Sequence, residues 1–229
     1  MENINIVQNI DFSRGKHTRY LNIYGVEVPS VTTILKLLNK PALQKWANWL
    51  GFKRENIDRV LEKSASMGTL FHNAMEAYMK KEKFHPVYNY EDEEWKLKIF
   101  LNEFMTWAES HSIEPILLEE QLVCNYFAGT MDFYGIIDGK KTILDYKTSK
   151  GTYVSMFLQL AAYTYMCERK GLQVEQVGIL NINEKGNRWT VFPREALDKY
   201  IDVFLKLAEF FHMYCNLLSE DNWELDFLK

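Results

Sequence analysis

The sequence predicts an α/β fold in which a mixed β-sheet is flanked by helices and preceded by an N-terminal helical cap. Two observations predict it. Before Pro115 the apolar residues recur mainly at helical spacing, whereas strand-like segments dominate after it. The later segments follow the order β-β-β-α-β-β-α, which is typical of helices packed on a sheet. With 229 residues, we expect one domain, with a hairpin and helical cap over residues 1–112 and an α/β core over residues 113–229.

The first part of the chain predicts a short hairpin and four helices. Residues 18–28 alternate like a hairpin that turns near Gly25. The helices are expected at about residues 31–38, 41–50, 54–82 and 91–110. On the two long helices the side chains expected to be buried are Met67, Leu70, Phe71, Ala74 and Tyr78, followed by Trp95, Ile99, Phe100, Phe104 and Trp107.

The second part predicts the sheet and two more helices. Three extended segments come first, and Asp138-Gly139 turns the chain between the second and third of them. The strands are expected at residues 116–126, 130–137, 142–148, 174–182 and 189–192, and the helices at 152–170 and 194–218.

Composition narrows the class of protein. Hydrophobic residues make up 47% of the chain, which is enough for a substantial core and argues against disorder. No apolar run reaches the length of a membrane span, and the N-terminus lacks the pattern of a secretion signal, so we expect a cytoplasmic protein of a bacterial or phage-infected cell without membrane contact. Three separated cysteines, Cys124, Cys167 and Cys215, disfavour disulfide scaffolds, zinc ribbons and iron–sulfur clusters.

The residues with the clearest chemical signal lie on two neighbouring strands. Side chains alternate along a strand, so Asp145 and Lys147 share a face. Asp132 lies on the preceding strand, where a directly opposite residue is ~5 Å away at Cβ. Two carboxylates so close repel each other unless a cation lies between them, and Mg²⁺ or Mn²⁺ prefers such oxygen ligands. The alternative is an ordinary ion pair on an edge strand.

Helical residues add two further candidates. Gln159 and Tyr163 are spaced i, i+4, so they share one face of their helix and can reach a lysine or a phosphate together. His72 lies within an apolar helix, and a neutral imidazole is a suitable Mn²⁺ ligand. The alternatives are helix surface and core for the first pair, and a buried, hydrogen-bonded histidine for His72.

In order along the chain, these segments resemble the PD-(D/E)XK nuclease superfamily in its RecB-like branch, and within it the mitochondrial genome maintenance exonuclease and related phage exonucleases. The segments are Pro29–Leu35, Gly68–His72, Gly129–Asp132, Asp145–Ser149 and Gln159–Tyr163. The resemblance implies a restriction-endonuclease-like core. It also implies roles for individual residues: metal ligands at His72, Asp132, Asp145 and the Tyr146 backbone carbonyl, a catalytic lysine at Lys147, and a fourth motif at Gln159 and Tyr163. Thr148 and Ser149, which follow that lysine, are expected to contact DNA.

A supporting glutamate is also expected on the strand before Gly129. Glu119 and Glu120 compete for this role, and only one can serve because adjacent residues point to opposite faces. The string Glu120-Gln121-Leu122-Val123 fits the family better, so Glu120 is the weak preference.

The function implied by the resemblance is hydrolysis of phosphodiester bonds in DNA with Mg²⁺ or Mn²⁺, by an exonuclease acting on single strands or DNA ends. No phosphate-binding loop of the G-x-x-x-x-G-K-[ST] kind is present, so we expect no ATP, and any recombination or replication partner would be a separate protein. Trp46 beside Lys45 predicts base stacking and phosphate contact, although Trp46 also fits a core role. The alternatives for the whole chain are a non-catalytic nucleic-acid-binding or interaction module on this fold, a nuclease preferring RNA or junctions, and an unrelated metal hydrolase.

Overall fold

The structure is a computed structural model that describes residues 20–38 and 41–220. A small antiparallel hairpin comes first, with strands β1 (Tyr20–Leu21) and β2 (Glu27–Val28). The hairpin predicted over residues 18–28 is therefore observed from residue 20 onward, and its first two residues lie outside the described residues. The Tyr20 hydroxyl is 2.9 Å from the hydroxyl of Thr130, which ties the hairpin to the main sheet.

Four helices precede the sheet: α1 (Val31–Leu35), α2 (Pro41–Phe52), α3 (Ile57–Lys80) and α4 (Glu93–Glu109). Ser30 caps α1 by accepting a hydrogen bond from the Thr33 amide, and Asn56 caps α3 in the same way through the Arg59 amide. Lys81 ends α3 in the left-handed conformation with a φ of 58°. Helix α1 is shorter than the predicted segment 31–38, and the other three agree with their predicted positions to within a few residues.

The main sheet has five strands in the order β3-β4-β5-β6-β7. They are β3 (Ile113–Val123), β4 (Ala128–Ile137), β5 (Lys140–Lys147), β6 (Gln176–Asn183) and β7 (Gly186–Pro193). All neighbours are antiparallel except β5 and β6, which are parallel and are joined through helix α5 (Val154–Arg169). A 3₁₀ turn (Arg194–Leu197) leads into the last helix, α6 (Asp198–Glu220). The prediction of a mixed sheet flanked by helices is confirmed.

Two hydrophobic cores lie on opposite faces of this sheet. Residues of α1, α5 and α6 pack on one face, and residues of α3 and α4 pack on the other. Strict alternation along β5 explains the division, because Ile143 faces the first core while Leu144 and Tyr146 face the second. No helix in the described part of the chain combines the length and apolarity that crossing a membrane requires.

Two side chains predicted to be buried are half exposed. Trp95 is 48% exposed and Tyr78 is 44% exposed. The inward stripe of α4 recurs at spacings of three and four through Leu97, Phe100 and Phe104, and it extends back to Glu93 rather than to Trp95. Trp95 therefore lies on the outer side of α4, and a buried glutamate takes the position that sequence reasoning gave to an apolar residue.

Candidate active site

The end of β5 carries an acidic and a basic side chain in direct contact. Asp145 is buried, with 1% of its surface exposed. The Lys147 ammonium lies 2.8 Å from one Asp145 carboxylate oxygen and 2.6 Å from the other. Strand alternation predicts that these side chains share a face, and their contact confirms it. Since β5 lies between β4 and β6, this pair is in the middle of the sheet rather than on an edge strand.

Asp132 on β4 reaches the same strand end through a backbone hydrogen bond. The Tyr146 amide donates to Asp132 Oδ2 at 2.8 Å. The pairing of β4 with β5 stops one residue earlier, at Phe133 and Leu144. Met131 packs in the core beside α5, whereas Phe133 packs in the core beside α3. Residues two apart normally share a face, so the regular alternation of β4 breaks at Asp132.

Helix α3 brings His72 to this break. Its Nε2 lies 3.2 Å from the Tyr146 carbonyl oxygen, within hydrogen-bonding distance. Its Nδ1 lies 3.6 Å from Asp132 Oδ1 and 3.6 Å from Glu119 Oε1. The imidazole therefore contacts both the carboxylate on β4 and the backbone of β5. His72 is thus largely buried and hydrogen-bonded, and its role as a metal ligand remains a prediction.

Glu119, and not Glu120, is the glutamate that lies beside these groups. A bulge between Pro115 and Leu117 shifts the register of β3 by one residue. The flanking pairs, Leu118 with Phe133 and Glu120 with Met131, leave Glu119 opposite Asp132. Glu120 points elsewhere and lies 4.0 Å from the Lys170 ammonium, with 42% of its side chain exposed. The weak preference for Glu120 is therefore corrected, because the bulge and the left-handed Glu119 (φ 49°) decide which glutamate faces the site.

Gln159 and Tyr163 are joined on α5, as their spacing predicts. The Gln159 amide donates to the Tyr163 hydroxyl at 3.2 Å. The Tyr163 ring lies against Gly129 so closely that a Cβ there would be 2.8 Å from its Cε1 atom. Glycine at this position thus permits close approach of the ring to β4, three residues before Asp132.

The charges of the site shift the pKa values of its members. Burial lowers the pKa of His72, but the negative charges of Asp132 and Glu119 outweigh it and raise the value to about 9. Burial raises the pKa of Asp145 to about 6, and repulsion from Asp132 adds to this against the opposing effect of Lys147. Burial also holds the Tyr163 pKa well above its usual value.

A comparison with protein families accounts for this arrangement of residues. The family model of the PD-(D/E)XK nuclease superfamily matches residues 45–213, which include every site residue described above. The chain belongs to the PD-(D/E)XK nuclease superfamily. The (D/E)XK part of the superfamily name denotes an acidic residue, any residue and a lysine, and Asp145-Tyr146-Lys147 matches this pattern. The predicted superfamily is confirmed, whereas the narrower RecB-like branch and the mitochondrial exonuclease remain predictions.

Solved structures with a similar chain trace include two exonucleases. The alkaline exonuclease LHK-Exo from Laribacter hongkongensis is 6% identical, with 85% of this chain and 94% of that chain covered and a TM-score of 0.37. The phage-related exonuclease from Haemophilus somnus 129PT is 13% identical, with coverages of 66% and 82% and a TM-score of 0.36. No curated protein sequence matches the chain.

The donor atoms of this PD-(D/E)XK nuclease fit a divalent cation. One ligand atom each from His72, Glu119 and Asp132 lies within 4.8 Å of the other two. Asp145 Oδ2 is buried and accepts no hydrogen bond from the described residues, although the Lys147 ammonium lies beside it as an ion pair. Carboxylate oxygens, a backbone carbonyl and an imidazole are a donor set that suits Mn²⁺ or Mg²⁺.

The loop after Lys147 is held by a residue that sequence reasoning missed. Asn181 pairs with Lys147 across β5 and β6 and is 3% exposed. Its amide lies 3.1 Å from the Ser149 hydroxyl, and its carbonyl accepts from the Thr152 hydroxyl at 3.0 Å. An asparagine between the apolar Leu180 and Ile182 of β6 is the signal that identifies it. The Ser149 side chain is thus turned toward its own loop, where it also donates to the Gly151 carbonyl.

The predicted DNA contacts on α2 are not brought to the site. Lys45 is exposed and Trp46 is partly buried. Helix α2 packs against α3, and within residues 20–38 and 41–220 no hydrogen bond or ion pair joins either side chain to the site. Their contact with DNA, like that of Thr148 and Ser149, remains a prediction.

Proposed function

We propose that the chain is a metal-dependent deoxyribonuclease that hydrolyses phosphodiester bonds. The observation that carries this proposal is the convergence of two groups at one end of β5. One is the Asp145–Lys147 ion pair, and the other is the cluster of His72, Glu119 and Asp132. A fold of this superfamily that had lost catalysis would not need to keep all of these groups in contact.

Four groups would hold a divalent cation. They are the carboxylates of Asp132 and Asp145, the His72 imidazole and the Tyr146 carbonyl, with Glu119 completing or supporting the set. Such a cation would lower the pKa of a bound water molecule and polarise the phosphoryl oxygens of the substrate. The Tyr146 amide fixes the Asp132 carboxylate through its hydrogen bond, so the protein orients this ligand before any ion arrives.

Lys147 is proposed as the catalytic cation. Its ammonium has three donors and only the Asp145 carboxylate is in contact with it among the described residues. The donors left over can hold an attacking water or stabilise the negative charge that grows on the phosphate during hydrolysis. Burial lowers the Lys147 pKa, but the carboxylates of Asp145 and Asp132 outweigh it and raise the pKa, so the ammonium keeps its charge at neutral pH.

Gln159 and Tyr163 are proposed to position the phosphate or the lysine. The Tyr163 hydroxyl accepts from the Gln159 amide, so its own proton remains to be donated to a phosphate oxygen. The Gln159 carbonyl remains to accept from a lysine or a water. Because burial holds the Tyr163 pKa well above its usual value, the hydroxyl stays protonated and acts as a donor.

The finer features of the proposal come from the resemblance of the sequence motifs. These are Mg²⁺ or Mn²⁺ as the cation, an exonuclease mode, and single-stranded DNA or DNA ends as substrate. A separate protein of recombination or replication would be the partner, without ATP use by this chain. The proposed domain is the whole chain, with the cap before about residue 112 supplying His72 to the core.

The central test is digestion of a fluorescent single-stranded oligonucleotide with Mg²⁺, Mn²⁺ or EDTA. We expect cleavage with either metal, none with EDTA, and none by Lys147→Ala, which should still bind DNA. Lys140→Ala is the matched control, because Lys140 is an exposed lysine at the opposite end of the same strand. Absence of cleavage by the wild type would favour the non-catalytic binding module, and full activity of Lys147→Ala would remove this lysine from the mechanism.

A second digest separates the mode and the sugar preference. A circular single strand has no end, so an exonuclease should leave it intact while it degrades the linear form of the same sequence. Cleavage of the circle would instead indicate an endonuclease. An RNA strand of equal length and label, added as competitor, would reveal a preference for ribose.

A further inference from the structure

A groove with a cavity volume of about 480 Å³ lies beside the candidate active site. One wall is formed by α3 and α4, and the other by the loop after β5 and the turn between β6 and β7. The two walls meet where the Asn187 amide lies 2.9 Å from the Glu103 carboxylate and where Lys96 lies 3.8 Å from Glu184. The volume is within the range of about 300–1,000 Å³ that is usual for small-molecule sites.

This groove opens directly next to the proposed catalytic residues. Thr148, which lines it, is the residue after Lys147. On α3, Gly68 lies one helical turn before His72, and a Cβ there would be 3.9 Å from the Thr148 hydroxyl. A chain held at the metal-binding residues can therefore continue into the groove.

The groove is cationic within an acidic protein. Its lining contains five cationic and three acidic side chains, in a chain whose net charge is −4. Lys63 and Lys96 are paired with Asp92 at 3.7 and 2.5 Å. The remaining cations, Lys150, Lys185 and Arg188, are exposed and have no ion pair within the part of the chain that the structure describes.

One oxygen of a buried carboxylate in the same lining has no hydrogen-bond donor among the described residues. Glu93 is 2% exposed, and its Oε2 accepts from the amides of Asn89 and Tyr90 at 2.6 and 3.1 Å. Its Oε1 is buried and has no hydrogen-bond partner among the described residues. Leaving such an oxygen unpaired is unfavourable, so a ligand that donates a hydrogen bond to it would be favoured.

We propose that this groove binds the nucleotide next to the cleaved phosphodiester, with Lys150, Lys185 and Arg188 on its phosphate and Glu93 Oε1 accepting from an amino group of its base. The proposal rests on the proposed nuclease function, because it takes the ligand to be a nucleic-acid strand. Unpaired cations recognise the phosphate whatever the sequence. A carboxylate oxygen can only accept, so it favours cytosine and adenine, which carry amino groups, over thymine, which presents a carbonyl at that position.

The phosphate part is tested with the double variant Lys185→Ala/Arg188→Ala. Binding of a labelled single-stranded oligonucleotide is measured by fluorescence anisotropy in EDTA, over a series of salt concentrations. We expect an affinity at least about tenfold weaker, and a salt slope that is smaller by about 1.4, since each lost contact contributes about 0.7 for a single strand. Lys199→Ala/Lys206→Ala removes the same charge from α6, outside the groove lining, and should match the wild type.

The base part is tested with Glu93→Gln, which keeps an oxygen for the Asn89 and Tyr90 amides and presents an amide N–H in place of Oε1. The wild type should bind oligo-dC more tightly than oligo-dT, and the variant should lose or reverse this preference. An unchanged preference in a variant that melts like the wild type would overturn the role of Glu93.

The two proposals fail separately because binding is measured without metal. If the wild type cleaves DNA while the groove variant keeps its affinity and salt slope, the groove is not the strand-binding site and the nuclease function stands. If the wild type does not cleave while the groove variant loses binding, the groove proposal stands and the nuclease proposal fails.

Discussion

Replacing Glu119 or Glu120 with glutamine tests which of the two glutamates belongs to the metal-binding group. The two residues are adjacent, and each change removes one charge with the same shape of side chain. Glu119 lies 3.6 Å from His72 Nδ1 within the proposed ligand group. Glu120 faces away and lies 4.0 Å from the exposed Lys170. The chemistry of the two substitutions is therefore equal, and only the position relative to the site differs.

The expected magnitude follows from the ligand set. Glu119 and Asp132 contribute two carboxylates to this group, and Glu119→Gln removes one of them. Loss of a residue that holds or supports a metal ligand costs about 10- to 100-fold in affinity, or roughly 1.4–2.7 kcal/mol. Glu120→Gln loses only an exposed ion pair, which contributes about 0–1 kcal/mol to stability and nothing to metal binding.

The assay is a Mn²⁺ titration of each variant by calorimetry, repeated as the metal dependence of cleavage. We expect the curve of Glu119→Gln to move to higher metal concentration, while Glu120→Gln coincides with the wild type. Equal curves for both variants, or a larger shift for Glu120→Gln, would refute the register argument that assigns Glu119 to the site.

Three further predictions follow from contacts and charges of the described residues. Gly129→Ala should cost about 1–3 kcal/mol and lower activity, because its Cβ would be 2.8 Å from the buried Tyr163 ring; thermal melting with a cleavage assay checks both. Gly178→Ala should destabilise more strongly without acting on the site, because its Cβ would be 1.9 Å from Trp189; a small change in melting temperature would contradict the packing. The pKa of His72 is raised from 6.5 to about 9 in the folded protein, so its protonated form should stabilise the fold when EDTA keeps the site free of metal. This stabilisation should be complete below pH 6.5 and should be lost as the pH rises through about 9. Chemical denaturation at these pH values checks this for the wild type against His72→Gln, which should lack this part of the pH dependence.

Much of the site follows from short-range periodicity. The contact of Asp145 with Lys147 follows from the two-residue repeat of a strand, and that of Gln159 with Tyr163 from the four-residue repeat of a helix. In both cases the two residues lie in one regular element, so the sequence alone fixes their relative position. The order of elements was predictable for the same reason, since each has a strong apolar pattern.

The parts that could not be predicted depend on interruptions of these repeats. The choice between Glu119 and Glu120 depends on a bulge near Ile116, and the sequence around Ile116 has no pattern that predicts this bulge. The reach of Asp132 across to His72 depends on the break of alternation between Met131 and Phe133. Trp95 was misplaced because a large apolar residue outweighed Glu93 in the pattern, although Glu93 has the spacing of the inward stripe. Such errors fall where local rules are broken, which is often where function lies.

The acidic net charge and the proposed substrate are compatible because the charges are separated in space. Three carboxylates, those of Glu119, Asp132 and Asp145, lie close together at the end of β5 and would repel a phosphodiester by themselves. A divalent cation held by them would reverse the sign at that point, while the groove beside it is cationic without any metal. Approach of a strand to the groove then needs no metal, whereas approach of its phosphate to Asp132 and Asp145 does. This division makes cleavage conditional on the metal at the step of phosphate binding as well as at the chemical step.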